Sequence, residues 1–219
     1  MSIKRNLMEI KSRLPQNVTL VAVSKTKPNS AILEAYEAGQ RVFGENKVQE
    51  MVQKWETLPK DIEWHMIGHL QRNKVKYMAQ FVSLVHGVDS LKLLLEIDKQ
   101  AAKHQRTIDC LLQLHIAQEY TKFGLDEQEL FELLHTSNFQ NLRHIRIRGL
   151  MGMATFTSDT DQVRKEFETL RSTFKKVKSV LPNVDILSMG MSGDYDLAIE
   201  EGSTMVRIGS SIFGSRNYA

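Results

Sequence analysis

One cysteine, a formal charge of only +3 and no long apolar run mark what this 219-residue chain lacks. The lone Cys110 cannot form a disulfide within the chain, and its setting in IDCLLQL reads as a small buried hydrophobe. No apolar stretch approaches the length of a membrane span, and the opening residues, MSIKRNLMEIKSRL, scatter charges where a signal peptide needs an apolar core. The expectation is a cytoplasmic protein with no membrane partner. So small and dispersed a positive charge is no footprint for nucleic acid, although it favours an anionic ligand. The densest basic stretches, Arg143 to Arg148 and Lys175 to Lys178, alternate with apolar residues and read as solvated faces of a strand and a helix. No GxGxxG turn follows the first strand, which argues against an open dinucleotide-binding sheet. No HExxH or CxxC spacing gathers the seven histidines, so no metal site is expected.

What is present is a globular balance, 42% hydrophobic and 25% charged, arranged in a steady rhythm. Ile3, Leu7, Ile10 and Leu14 recur at helical spacing until Pro15, and the β-branched run VTLVAV from Val18 follows. Helix and strand then alternate to the end. Strands are expected at Arg41 to Phe43, Ile62 to Ile67, Val82 to His86, Ile108 to His115, His144 to Leu150, Val184 to Met189 and Thr204 to Ile208. Helices are expected over Ala31 to Ala38, around Met51, from Gln71, from Ser90 as N-cap, from Asp126, over Asp161 to Leu181, and from Asp194. Eight strands with helical crossovers and no Gly/Ser-rich linker predict a single (β/α)8 barrel, with an additional N-terminal helix, occupying 1–219 as one domain.

A barrel keeps its chemistry at the C-terminal rim of its strands. Phosphorylated ligands commonly bind after strands 7 and 8, where glycines admit a close backbone approach and free N–H groups face the ligand. The segments there are SMGMSGD and RIGSSIFG, with Gly190, Gly193 and Gly209 for room and Ser192 and Ser210 for hydroxyls. A plain-turn reading stands beside that one. Lys25 follows the first strand, a place where apolar neighbours can draw a lysine inward and desolvation free its amine. Lys27 could share its direction, and taken alone either lysine reads as solvated. A phosphate site opposite an uncharged lysine is what Schiff-base chemistry requires.

These residues resemble the pyridoxal phosphate homeostasis proteins, stand-alone relatives of the N-terminal barrel of alanine racemase. The resemblance rests, in order, on VAVSKTKP from Val21, FGENKVQE from Phe43, WHMIGHLQRNK from Trp64, HGVDS from His86, GLMGM from Gly149, LSMGMSGD from Leu187 and GSTMVRIGSSIFG from Gly202. It implies that the chain binds pyridoxal 5′-phosphate (PLP) as a Schiff base on Lys25, with Ser192, Gly209 and Ser210 as phosphate cradle. Arg207 resembles the residue facing the pyridine nitrogen, and Asn46 one beside the ring. Arg72, Gly87, Gly152 and Ser210 depart from the usual pattern; the serine keeps a hydroxyl.

A guanidinium can only donate, so a ring nitrogen opposite Arg207 stays unprotonated and the ring is a weaker electron sink. The racemase relatives carry a second domain that supplies a tyrosine, and this chain ends at Ala219, soon after strand 8. None of the tyrosines, at 36, 77, 120, 195 and 218, is an evident acid or base. The expectation is therefore a protein that holds PLP and hands it to apo-enzymes, with little or no turnover, as a monomer with a dimer permitted. A racemase or decarboxylase is the first alternative, and a phosphate-ligand barrel enzyme without PLP the second. His65 and His86 are read as satisfied buried histidines bordering the cofactor, the ten methionines as core filler, with packing against the ring as the alternative for Met189 and Met191, and Glu45 and Asp89 as rim-orienting or ion-paired groups.

Overall fold

The computed structural model describes residues 2–119 and 123–214. Helix α1 (Ile3–Arg13) leads into a regular alternation: β1 (Thr19–Val23), α2 (Asn29–Glu37), β2 (Val42–Glu45), α3 (Val48–Thr57), β3 (Glu63–Met66), α4 (Val75–Met78), β4 (Leu84–Val88), α5 (Leu91–Lys103) and β5 (Ile108–Gln113). Helices α6 (Glu127–His135) and α7 (Ser137–Gln140) precede β6 (Ile145–Met151); α8 (Thr160–Val180), β7 (Ile186–Met191), α9 (Tyr195–Glu200), β8 (Met205–Ile208) and α10 (Ser210–Phe213) complete it. The strands pair in parallel, in chain order, and β8 returns to β1 through Thr19↔Met205 to Ala22↔Ile208, closing the barrel.

Alternation along each strand divides the apolar residues between two cores. Val21, Leu84, Leu111, Met151 and Met205 fill the barrel's interior, whereas Leu20, Ala22, Phe43, Trp64 and Leu187 pack under the helices. The expected cap at Ser90 is in place, and a second stands at Asp126. Ser90 Oγ accepts the Leu93 N–H, and Asp126 exchanges bonds with Glu129 in a capping box that starts α6. The basic segment after β3 is shorter than expected, a 3₁₀ turn at Arg72–Lys74 running into α4. Among the described residues no helix is long and apolar enough to cross a membrane.

The basic stretch in β6 lies on a solvated face, as expected, and its arginines are ion-paired there. Arg146 grips Asp109 with two bonds of 2.7 and 3.0 Å, and Arg148 bridges Asp109 (2.9 Å) and Asp185 (3.0 and 2.7 Å), tying β5, β6 and β7 at their N-terminal ends. Beyond that network a bulge shifts the register from Cys110↔Ile147 to Leu111↔Gly149. Gly149 is obligatory there: an added Cβ would stand 1.7 Å from the Ile186 carbonyl oxygen. Chain periodicity cannot show either feature, because both are pairings between strands.

Candidate functional site

At the opposite rim, β1 ends in a tight turn. Ser24 is buried, Lys25 half-buried, and Thr26 takes a left-handed φ of 64°. Carrying the strand's alternation onward from the interior residue Val21 puts Lys25 in the inward phase, above the barrel's mouth. Lys27 diverges from it, its Nζ donating to the Phe213 and Gly214 carbonyls (3.0 and 3.1 Å) at the end of α10. Glu45 is fully buried beneath the turn. Its Oε1 accepts from Ser24 Oγ (2.5 Å) and from Lys54 Nζ (2.8 Å), and Lys54 is itself only 5% exposed. Glu45 is thus ion-paired, while Asp89 lies 3.5 Å from His69 at the next rim position.

The loops after β7 and β8 meet against β1. Ser192 Oγ accepts the Gly209 N–H at 3.2 Å, and a Cβ on Gly209 would come within 3.1 Å of the Val23 carbonyl oxygen. The backbone at Gly209 therefore lies against the last residue of β1, just ahead of Lys25. Around Gly193 an added Cβ would find open space, and Ser210 is the first residue of α10. Asp194 Oδ1 accepts the Met191 N–H at 2.5 Å and sets the loop's shape. Gly190, at φ 96°, lets α9 approach, since a Cβ would sit 2.6 Å from Ala198 Cβ. Met189 lies in the core under the helices, as its core-filler reading has it, and not against the ring.

Arg207 projects from β8 into the barrel, 4% exposed. Its Nη1 donates to Ser188 O (2.9 Å) and Ser188 Oγ (2.6 Å), and its Nη2 to Gly152 O (3.0 Å). From there a line of hydrogen bonds continues inside the barrel: Ser188 Oγ pairs with His86 Nδ1 at 3.1 Å, and His86 Nε2 pairs with His65 Nδ1 at 3.0 Å. Both histidines are buried and satisfied. Burial lowers the His65 pKa to about 3 and holds His86 well below its ordinary value, so both rings are neutral near pH 7. Burial also lowers Arg207, to about 10, which leaves it a cation.

Asn46 stands half-buried after β2 in a closely stacked rim. A Cβ on Gly68 would lie 2.4 Å from the Asn46 carbonyl oxygen, and one on Gly87 would lie 2.8 Å from that of Gly68. His69 stacks on Phe123 at 4.0 Å, and Gln113 Nε2 donates to the Phe123 carbonyl at 2.9 Å. Arg72 is exposed, and Gly152 packs under Leu170 and Ile116. Tyr36, Tyr77 and Tyr195 ride on helices; Tyr120 and Tyr218 lie outside the described residues. Among the described residues no three His, Cys, Asp or Glu side chains assemble as a metal site.

The rim thus joins Lys25, Ser192, Gly209, Ser210 and Arg207 on β1, β7 and β8, with Asn46 next along the ring on β2. Glu50, Lys54, Ser188 and Phe123 are the additions that the sequence leaves without a role. A family model described as "Alanine racemase, N-terminal domain" matches residues 1–217. The chain belongs to this family. Within it, a pyridoxal phosphate homeostasis protein of Vibrio alginolyticus is 41% identical over 100% of this chain and 99% of its own length. One of the same name from Escherichia coli is 42% identical over 94% of this chain and 89% of its own. The structure of PipY from Synechococcus elongatus with PLP bound superposes with a TM-score of 0.89 at 36% identity, covering 97% of this chain and 100% of PipY. Alanine racemase of Clostridium difficile shares the barrel fold, with a TM-score of 0.78 at 15% identity over 56% of its length.

Proposed function

We propose that this chain binds PLP and serves intracellular PLP homeostasis, with Lys25 as the reversible covalent tether and residues 1–219 acting as one cytoplasmic domain. The observation that carries the reading is the contact of Gly209 with the end of β1. It brings the hydroxyls of Ser192 and Ser210, donors suited to a phosphate, beside the turn that bears the amine, with the Gly209 N–H holding Ser192 Oγ in place. PLP bound to a 36% identical protein of nearly the same fold supports the same assignment.

PLP when bound supplies an aldehyde and an electron-withdrawing ring. Each residue of the chain has a part in that site. Ser192, Gly209 and Ser210 hold the phosphate, Asn46 borders the ring, and Lys25 supplies the amine. Arg207, pinned by Ser188 and the Gly152 carbonyl, presents a donor to the ring nitrogen. Because the guanidinium stays protonated, it disfavours a protonated ring nitrogen and with it strong carbanion stabilisation. Holding and release of PLP to apo-enzymes, by a monomer, fits that chemistry better than turnover.

Adding PLP to the purified protein should raise the imine absorbance, and Lys25→Ala should lose it. Amino acids incubated with the loaded protein in deuterated water should keep their α-protons. Exchange at enzymatic rates, abolished by Lys25→Ala, would replace the carrier reading with a racemase-type enzyme. A wild-type protein that takes up no PLP but binds another phosphorylated ligand would replace it with a phosphate-ligand barrel.

A further inference from the structure

FGENKVQE contributes Asn46 to the rim, and it also carries two carboxylates, Glu45 and Glu50, to which the cofactor reading gives no part. They converge instead on the turn that carries Lys25. Thr26 there holds φ 64°, a conformation that costs an L-residue free energy and that a β-branched residue adopts least readily. Such a conformation persists only where its surroundings over-determine it.

The surroundings are charged and close. Glu50 Oε1 accepts the Thr26 N–H at 2.6 Å. Lys54 Nζ has three hydrogens and three acceptors, Ser24 O (2.8 Å), Glu45 Oε1 (2.8 Å) and Glu50 Oε1 (2.6 Å). Glu45 Oε1 takes the Ser24 hydroxyl proton as well. The residue before Lys25 is thus held by its carbonyl and its hydroxyl, and the residue after it by its amide. Ser24 N–H to Gly44 O and Lys27 N–H to Ser24 O, both 3.0 Å, close the turn on β2 and on itself.

Burying an ammonium and a carboxylate together is a poor source of stability, since desolvation offsets most of their attraction. An alternative use of such a pair is to select one geometry. We propose that Glu50, Lys54 and Glu45 are positioning residues that clamp the Ser24–Lys25–Thr26 turn in its strained form and so aim the Lys25 amine over the barrel's mouth. The proposal rests on Lys25 being the amine that takes the aldehyde.

The test compares wild type with Glu50→Ala, Glu50→Gln and the double variant Glu50→Ala/Thr26→Gly. Two readouts are used: the stopped-flow rate of imine formation with PLP, and amide hydrogen exchange at residue 26 without PLP, with thermal melting as the folding control. Glu50→Ala should react about tenfold more slowly, equivalent to about 1.4 kcal/mol, and lose protection of the Thr26 amide. Glu50→Gln keeps an acceptor and should react within about threefold of wild type. Thr26→Gly should restore most of the rate to Glu50→Ala, because glycine adopts positive φ without the penalty. Lys54→Met serves where Glu50→Ala is too unstable to purify, with the same slowing expected. Wild-type rate and protection in these single variants, or slowing that neither glutamine nor glycine relieves, overturns the clamp. A wild type that forms no imine overturns the PLP reading instead, and the exchange at residue 26 still decides the clamp.

Discussion

Lowering the pH from 7 to 5 perturbs the buried histidine pair. In the unfolded chain His65 titrates near 6.5, whereas in the barrel burial lowers it to about 3. The unfolded state therefore binds a proton that the folded state refuses, and stability present in full above pH 6.5 drains away as the pH falls toward 3. For a single group with those two values the loss is about 2 kcal/mol at pH 5, approaching ~1.4 kcal/mol per further pH unit. His86 shifts in the same direction, also by burial, and steepens the fall. Urea unfolding followed by circular dichroism at pH 7, 6 and 5 measures the slope. The matched control is His65→Asn, whose side-chain amide can pair with His86 Nε2 as donor or acceptor while carrying no titrating proton. The variant should lose about one proton's worth of pH dependence. An unchanged slope, or a His65 ring that titrates near 6.5 by NMR, would refute the argument.

The remaining predictions concern other parts of the barrel. Gly149→Ala should cost about 3 kcal/mol or more in urea unfolding, because its Cβ would meet the Ile186 carbonyl oxygen in the β6 bulge. Asp109→Asn should cost about 1–3 kcal/mol by removing the shared anion of Arg146 and Arg148, with PLP uptake unaltered when measured by absorbance. Ser188→Ala should destabilise by about 1–3 kcal/mol in thermal melts and release Arg207 from its anchor, so that PLP dissociates faster in a competition assay.

The barrel was legible because its evidence is local. Helical spacing through Leu7 and Ile10, β-branched runs such as VTLVAV, and N-cap residues such as Ser90 and Asp126 each act over a few residues, and eight repeats of one rhythm leave little choice of fold. Lys25 and the loops of Ser192, Gly209 and Ser210 were legible as residues following strands, since closure of a barrel alone brings such positions to one rim. The clamp beneath Lys25 was not, because Ser24 and Glu45 are 21 residues apart and Ser24 and Lys54 are 30 apart, so no periodic pattern links them. Lys54 read as one more polar position on a helix, yet the fold buries it against two carboxylates. The part of Ser188 between Arg207 and His86 was not legible either, because it depends on β4, β7 and β8 meeting inside the barrel. The arginines of β6 were legible as a solvated face, but not their ion pairs, because the partners lie on or beside neighbouring strands.

The central claim is a covalent tether on one lysine. Incubating the protein with PLP, reducing with borohydride and mapping the pyridoxyl group by peptide mass spectrometry tests it most directly. The expected result is a single modified peptide bearing the group on Lys25, absent when the phosphate loops are disabled by Ser192→Asp. A group found on Lys27 or another lysine, or none at all, would contradict it.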